Sequence, residues 1–134
     1  MEFRRTKAFT KALDKLGAPG QARVNEKLKT FEQDVLGGVS LQHLWDVYEF
    51  KPLKGANAEV SSGLLRGQVQ QIRPLHDYRV LMLALTVGDK THYLHAWRKQ
   101  GNSDPEEIRH GCNLAKSLIE KLAQEATQRG GRAK

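Results

Sequence analysis

The apolar run from Tyr78 to Val87, with the sequence YRVLMLALTV, constrains the fold of this chain more than any other segment. A run with so little polar interruption is typical of a central strand that is covered on both faces. The turn residues 88–90 (GDK) follow it, and residues 91–97 can pair back as the next strand of an antiparallel hairpin. Because side chains alternate along a strand, the sequence predicts two groups, with Leu81, Leu83 and Leu85 on one face and Val80, Met82 and Ala84 on the other.

Helical patterns are predicted on both sides of this hairpin. Apolar residues recur at helical spacing over residues 9–16 and end at Gly17, and a second such run covers residues 19–35 and ends at Gly37-Gly38. The short connection between the two runs predicts an antiparallel pair of helices. After the hairpin, Asp104 and Pro105 are typical of an N-cap and a first helical position, and the apolar stripe that follows ends at Gly130.

Together these segments predict an α+β fold, a small twisted antiparallel sheet with two N-terminal helices and a C-terminal helix. Residues 2–5, 48–52 and 64–75 are predicted to supply the remaining extended segments. The chain of 134 residues has no long linker or repeat, so we expect one domain over residues 1–128. Residues 129–134 (RGGRAK) are expected to be a flexible basic tail.

The composition limits the functional classes. The chain has 22 Lys and Arg against 15 Asp and Glu, which gives a net charge of +7 and favours a polyanionic partner such as nucleic acid. It has a single cysteine, no apolar run near the roughly 20 residues of a membrane span, and no secretory signal pattern. We therefore expect a cytoplasmic protein that does not bind a membrane.

The sequence offers little for cofactor or metal chemistry. Glycine-rich phosphate-binding motifs are absent, and the five histidines lack partners at ligand spacing. His92 and His95 lie three apart in a strand, which predicts that they point to opposite faces. Cys112 falls on the apolar stripe of the last helix and is predicted to be a core residue. We expect no metal and no small-molecule cofactor.

Basic residues on and around the strands are the best candidates for a functional site. Converging arginines and lysines could hold a phosphodiester and stabilise the transition state of its cleavage, while a histidine or a lysine moves the proton. The alternative is that these residues are scattered, exposed strand ends. The candidates are Lys51, Lys54, Arg66, Arg73, Arg79, Arg98 and Lys99, with His92 and His95 nearby.

Five segments, in order and at matching spacing, resemble the RelE/ParE toxin superfamily, and its HigB-like, phage-related branch in particular. They are residues 50–55 (FKPLKG), 71–74 (QIRP), 77–81 (DYRVL), 93–99 (YLHAWRK) and 104–108 (DPEEI). Two departures stand out. Met82 and Leu83 replace an aromatic residue of the family pattern, and no C-terminal tyrosine follows the last strand.

The resemblance implies a type II toxin that a cognate antitoxin protein neutralises. Many members are ribosome-dependent endoribonucleases, in which a ribose 2′-hydroxyl of the mRNA attacks the adjacent phosphate. The catalytic candidates that follow are Lys54, Arg73, Arg79 and His95. The candidates for binding nucleic acid that follow are Lys51, Arg98 and Lys99, to which the set of strand cations adds Arg66. ParE-type relatives share the scaffold but inhibit DNA gyrase without cutting anything, so a gyrase inhibitor and an inactive binding protein remain alternatives.

Overall fold

The computed structural model describes residues 1–86, 88–101 and 104–132, with side chains as far as Gln128. Val87, which the sequence placed at the end of the central strand, lies outside the described residues. In chain order the elements are β1 (Glu2–Arg5), α1 (Lys7–Asp14), α2 (Gly17–Leu36), α3 (Leu41–Tyr48), β2 (Lys51–Pro52), a 3₁₀ turn (Ala56–Ala58), β3 (Glu59–Ser62), β4 (Leu65–Leu75), β5 (Tyr78–Leu85), β6 (Lys90–Arg98) and α4 (Pro105–Arg132).

The sheet is mixed, and not purely antiparallel as the sequence predicted. Its strand order is β1-β6-β5-β4-β2, and β3 pairs with the other half of the long strand β4. The pairs among β2 to β6 are antiparallel, whereas β1 lies parallel to the first half of β6. A parallel pair is possible here because α1 to α3 and the remaining strands separate β1 from β6 in sequence, whereas a tight turn would make the two strands antiparallel.

Three helices, rather than the predicted two, precede the β2–β6 part of the sheet. The additional helix α3 begins at Ser40, whose hydroxyl accepts a hydrogen bond from the His43 backbone N–H at 3.1 Å. It ends at Glu49, which adopts a left-handed backbone conformation with φ of 49°. Tyr48, predicted to begin an extended run, is therefore the last residue of a helix.

Helices cover both faces of the sheet, which confirms the prediction for the central strand. Val80 and Met82 of β5 pack with α1, α2 and α3 in a cluster rich in aromatic residues. Leu81 and Leu83 of β5 pack on the opposite face, against Cys112, Ala115 and Ile119 of α4. Cys112 is a buried core residue, as predicted, and burial raises the pKa of its thiol.

Helix α4 begins at Pro105, directly after the predicted N-cap Asp104. It continues to Arg132, past Gly130, where the sequence predicted its end, and Ala133 and Lys134 lie outside the described residues. Residues 129–132, part of the segment predicted as a flexible basic tail, have a helical backbone. No helix within the described residues is long and apolar enough to cross a lipid bilayer.

A bulge in β6 changes which side chains share a face. Leu81 of β5 pairs with His95 and Met82 pairs with Tyr93, so Leu94 is an extra residue. Because paired residues point to the same face, His95 lies with Leu81 on the face of α4, and His92 lies there with Leu83. The prediction that His92 and His95 point to opposite faces is therefore wrong, since it assumed an unbroken alternation.

Candidate nucleic-acid interface

Three of the predicted cationic residues lie around one small cavity beside the start of α4. This cavity, named here the Arg79 cavity, has a volume of about 170 Å³, and its polar lining residues are Lys51, Gln71, Arg79, Lys99 and Asp104. They come from β2, β4, β5 and the segment that connects β6 to α4. Antiparallel pairing places Lys51 opposite Gln71, and Arg79 opposite Trp97, and all four residues line the cavity.

Arg79 is the most buried cation of the cavity, with 8% of its surface exposed. Its Nη1 donates hydrogen bonds to the backbone carbonyls of His76 and Tyr78, both at 2.9 Å. Burial, followed by repulsion from Arg73, lowers the pKa of its guanidinium below the ordinary value. Within the described residues Arg79 forms no salt bridge and its other guanidinium nitrogens have no hydrogen-bond partner, so they are free to bind an anion.

Asp104 is the one carboxylate that lines the cavity among the described residues, and its two oxygens are already used. They accept hydrogen bonds from the indole Nε1 of Trp97 at 3.0 Å, from the backbone N–H of Gln100 at 3.3 Å and from that of Gly101 at 2.9 Å. These bonds, the one from Trp97 first, lower the pKa of Asp104 below its usual value. Asp104 therefore holds the β6–α4 connection in place and is an ionised, engaged group.

Two further cavities continue from the Arg79 cavity along α4. The first, of about 320 Å³, shares Leu53 and Ile108 with it and is lined by Lys54 and Arg109. The second, of about 280 Å³, shares Cys112 with the first and is lined by Lys116. These three cavities share lining residues with their neighbours and are together named the α4 groove. Two carboxylates, Asp104 and Glu59, line it against six cationic residues: Lys51, Lys54, Arg79, Lys99, Arg109 and Lys116.

Arg73 and Arg66 lie outside the α4 groove. Arg73 forms an ion pair with Glu49, the residue that ends α3, and its Nη2 lies 3.1 Å from Nδ1 of His76. The guanidinium of Arg73 is thus engaged before any ligand binds, although it is near enough to Arg79 to affect its pKa. Arg66 is exposed on β4, in register with Ser61 of β3, and lines none of these three cavities.

His95 lies on the other side of α4, in a second groove of about 590 Å³ that we name the His95 groove. Its walls come from α1, the end of β6 and α4, and Arg98 also lines it. His95 is buried, its Nε2 lies 2.5 Å from the Glu107 carboxylate, and the ring of His110 contacts it edge-on with a centroid distance of 4.8 Å. Burial is the largest of the effects that lower the pKa of His95. Trp97 lines both sites and separates His95 from Arg79.

Sequence reasoning missed several residues that line these sites, among them Gln71, Trp97, Arg109 and Lys116. A signal existed for two of them, because Arg109 and Lys116 are seven residues apart and so share one side of a helix. Among the described residues, no three His, Cys, Asp or Glu side chains come together in a way that could hold a metal ion.

Comparison with known proteins gives a distant structural likeness. No family model matches the chain, and no curated protein matches it. The crystal structure of the archaeal RelE–RelB complex from Pyrococcus horikoshii OT3 contains a similar chain, with 19% sequence identity and a TM-score of 0.48. The likeness covers 75% of this chain and 97% of that one. At this identity and score, the likeness identifies neither the family nor the activity of this chain, and both have to be inferred from its own residues.

Proposed function

We propose that this protein is a type II toxin of the RelE/ParE kind, from the HigB-like branch, which binds mRNA in the α4 groove and cleaves it on the ribosome. The observation that carries the proposal is the Arg79 cavity, where a buried arginine with free N–H groups lies between Lys51 and Lys99. Such a cavity suits a phosphodiester, because Arg binds phosphate oxygens in a paired, directional way and the lysines add charge.

In this proposal the three cations act on the scissile phosphate. The ribose 2′-hydroxyl attacks the adjacent phosphorus, the bond to the 5′-oxygen of the next nucleotide breaks, and a 2′,3′-cyclic phosphate remains. Arg79, Lys51 and Lys99 stabilise the additional negative charge of the transition state. Water takes the proton of the attacking 2′-hydroxyl, and the ammonium of Lys54, in the adjoining part of the α4 groove, donates a proton to the leaving 5′-oxygen. His95 is not assigned this role, since it lies across Trp97 in the other groove.

The charge of the chain supports the proposed partners. The ribosome and mRNA are polyanions. A net charge of +7 favours binding to them, and so do the several cations that line the α4 groove. The same charge favours an acidic, partly disordered antitoxin that covers or distorts the groove.

Co-expression with operon neighbours followed by size-exclusion chromatography tests whether such an antitoxin binds. Copurification with an acidic neighbour is expected, and a chain that copurifies with none of them contradicts it.

The main test is tightly controlled expression followed by mapping of mRNA 5′ ends. The parent should produce new 5′ ends inside translated codons, and Arg79→Ala should reduce them about a hundredfold, the usual effect of removing one hydrogen-bond donor to the transition state. Arg66→Ala is the matched control, because it removes the same charge from the exposed part of a neighbouring strand. Cleavage by Arg79→Ala at the parent rate contradicts the proposal.

A second candidate function, non-enzymatic inhibition of DNA gyrase, is favoured by one observation. Within the described residues, the fully engaged Asp104 is the only carboxylate that lines the Arg79 cavity, and no histidine lines it. Such a site binds phosphate but offers little for proton transfer, as expected of a binding protein. Intact mRNA, together with loss of supercoiling by purified gyrase in the presence of the protein, would support this function over cleavage.

A further inference from the structure

Two consecutive cations at the end of β6 line two different sites. Lys99 lines the Arg79 cavity, whereas Arg98 lines the His95 groove. Trp97, which precedes them, lines both sites and is held from the α4 side by its hydrogen bond to Asp104. The two sites are therefore neighbours on either side of one strand end, within reach of a single extended ligand.

The wall of the His95 groove that α1 provides carries two cations. Lys15 directly follows α1 and keeps helical backbone angles, so it lies on the same side as Lys11, four residues earlier. Both residues line the groove and are exposed. Neither forms a salt bridge within the described part of the chain. With Arg98, they give this groove three cations that form no ion pair among the described residues, against the one carboxylate of Glu107.

The wall that α4 provides carries an exposed imidazole and one carboxylate. His110 is exposed and packs edge-on against the buried ring of His95, which fixes its position. A nucleobase can stack on such a ring whatever its sequence. The carboxylate is that of Glu107, and its Oε2 is bound by His95 at 2.5 Å, so one of its oxygens is already used. The volume of about 590 Å³ lies in the range of ligand sites.

We propose that the His95 groove is a second subsite for single-stranded RNA, which holds the nucleotides next to the phosphate in the Arg79 cavity. Lys11, Lys15 and Arg98 bind the phosphates there, and His110 stacks on a base. This inference rests on the proposed function, because it extends the path of the same RNA strand around the start of α4. It assigns a role in binding to α1, a helix outside every segment that carries the family resemblance.

The test measures binding of a fluorescein-labelled 2′-O-methyl oligouridylate of 12 nucleotides, which attack by a 2′-hydroxyl cannot cleave. Fluorescence anisotropy is followed across a salt series for the parent, for Lys11→Gln/Lys15→Gln and for the control Lys27→Gln/Lys29→Gln. The control removes the same charge from exposed positions of α2 that line neither site. Circular dichroism confirms that each variant is folded.

The Lys11→Gln/Lys15→Gln variant should bind about tenfold more weakly than the control. Its salt dependence should fall by about 0.7 in log–log slope for each phosphate that a lysine no longer neutralises. His110→Ala should weaken binding about tenfold without changing that slope, since it removes stacking and no charge.

Three results overturn the inference. If Lys11→Gln/Lys15→Gln binds like the control while Arg79→Ala still loses binding, the subsite is wrong and the proposed function stands. If the parent binds no RNA but mapping of mRNA 5′ ends still shows cleavage inside codons, the subsite is wrong and the proposed function stands, whereas loss of both results contradicts both. If the lysine variant keeps RNA binding but no longer copurifies with an acidic neighbour, a protein segment occupies the groove instead of RNA.

Discussion

Three helices cover one face of the sheet, whereas the single helix α4 covers the other. A helix with its side chains is about 10 Å wide, and five strands at 4.8 Å spacing span roughly 20 Å. The three helices α1 to α3 can therefore close their face completely, while α4 leaves an open margin on each of its sides. Those two margins are the α4 groove and the His95 groove, and they hold most of the candidate functional residues.

The two faces also differ in whether their buried polar side chains have hydrogen-bond partners. On the face of α1 to α3, the buried hydroxyls of Tyr48 and Tyr93 donate to Asp34 and Glu32, and burial together with these carboxylates raises the pKa of both tyrosines. On the face of α4, His92 and His95 each have a buried ring nitrogen without a partner in the described residues. The buried tyrosine hydroxyls on the face of α1 to α3 thus have hydrogen-bond partners, whereas the buried polar atoms without a partner, in the described part of the chain, lie on the face of α4.

The largest effect is expected from a charge placed under α4. Leu83 is fully buried in the cluster that α4 covers, so Leu83→Asp should abolish folding, because an unpaired buried charge costs several kcal/mol. Thermal unfolding followed by circular dichroism measures this. Leu64→Asp is the control, since Leu64 is 95% exposed at the β3–β4 turn. A soluble Leu83→Asp protein with the parent midpoint would contradict the packing described for this face.

The next largest effect distinguishes Arg79 from Arg73, both of which the sequence analysis named as catalytic candidates. Arg79→Ala should lower cleavage about a hundredfold without unfolding the protein. Arg73→Ala should change cleavage less than about tenfold and instead lower the free energy of unfolding by about 1 kcal/mol, because Arg73 pairs with Glu49 at the end of α3. Denaturant titration and single-turnover cleavage assays measure both quantities. Equal losses of cleavage in the two variants would mean that Arg73 also binds the phosphate.

A smaller effect on stability is expected from two glycine substitutions, which test how closely the helices approach the two faces of the sheet. A Cβ at Gly111 of α4 would overlap the Cδ1 of the buried Leu81, so Gly111→Ala should destabilise the protein by about 1–2 kcal/mol despite its better helix propensity. A Cβ at Gly20 of α2 would meet the Tyr78 hydroxyl at 3.0 Å and the Cβ of Leu16 at 3.1 Å, contacts that shifts of a few tenths of an ångström relieve, so Gly20→Ala should cost less than Gly111→Ala, about 1 kcal/mol or below. Equal midpoints for the two variants in urea would show that α4 packs less closely than described.

The smallest expected effect is a dependence of stability on pH that comes from the face of α4. Burial lowers the pKa of His92 and of His95 below the ordinary value of 6.5. Between the lowered pKa and 6.5 the unfolded chain binds more protons than the folded chain, so the free energy of unfolding should fall as the pH falls through that window. Urea titrations from about pH 7.5 to 5 measure the slope, which His92→Gln/His95→Gln should flatten. An unchanged slope in that variant would assign the dependence to other groups.

The elements that could be predicted from the sequence are those with a strong local signal. The central strand has an apolar run too long to be exposed, and α4 has Asp104 and Pro105 at its start. By contrast, α3 has only eight residues and exposes Leu41 and Trp45, so its apolar pattern does not stand out. The polar strand β1, with the sequence EFRR, gives no signal for a parallel partner far along the chain.

For the candidate site, the residue types were predictable and their grouping was not. Lys51, Arg79 and Lys99 were named from the sequence and do line one cavity. The separation of His95 from them depends on the bulge at Leu94, whose position follows from packing across the whole sheet rather than from the residues next to it. The position of Arg73 depends on Glu49, and hence on the end of α3, which the sequence did not predict.

Helix α4 is much longer than the sheet face that it covers. Among the side chains described, as far as Gln128, the last buried residue of α4 is Ile119, and from Glu120 to Arg132 the backbone continues for about 20 Å at 1.5 Å per residue. Amide hydrogens from Gly111 to Ile119 should therefore exchange with solvent only when the whole face of Leu81 and Leu83 opens, with nearly the free energy of global unfolding. Amides beyond Ile119 should exchange through local fraying, so protection along this one helix should fall in two stages rather than evenly.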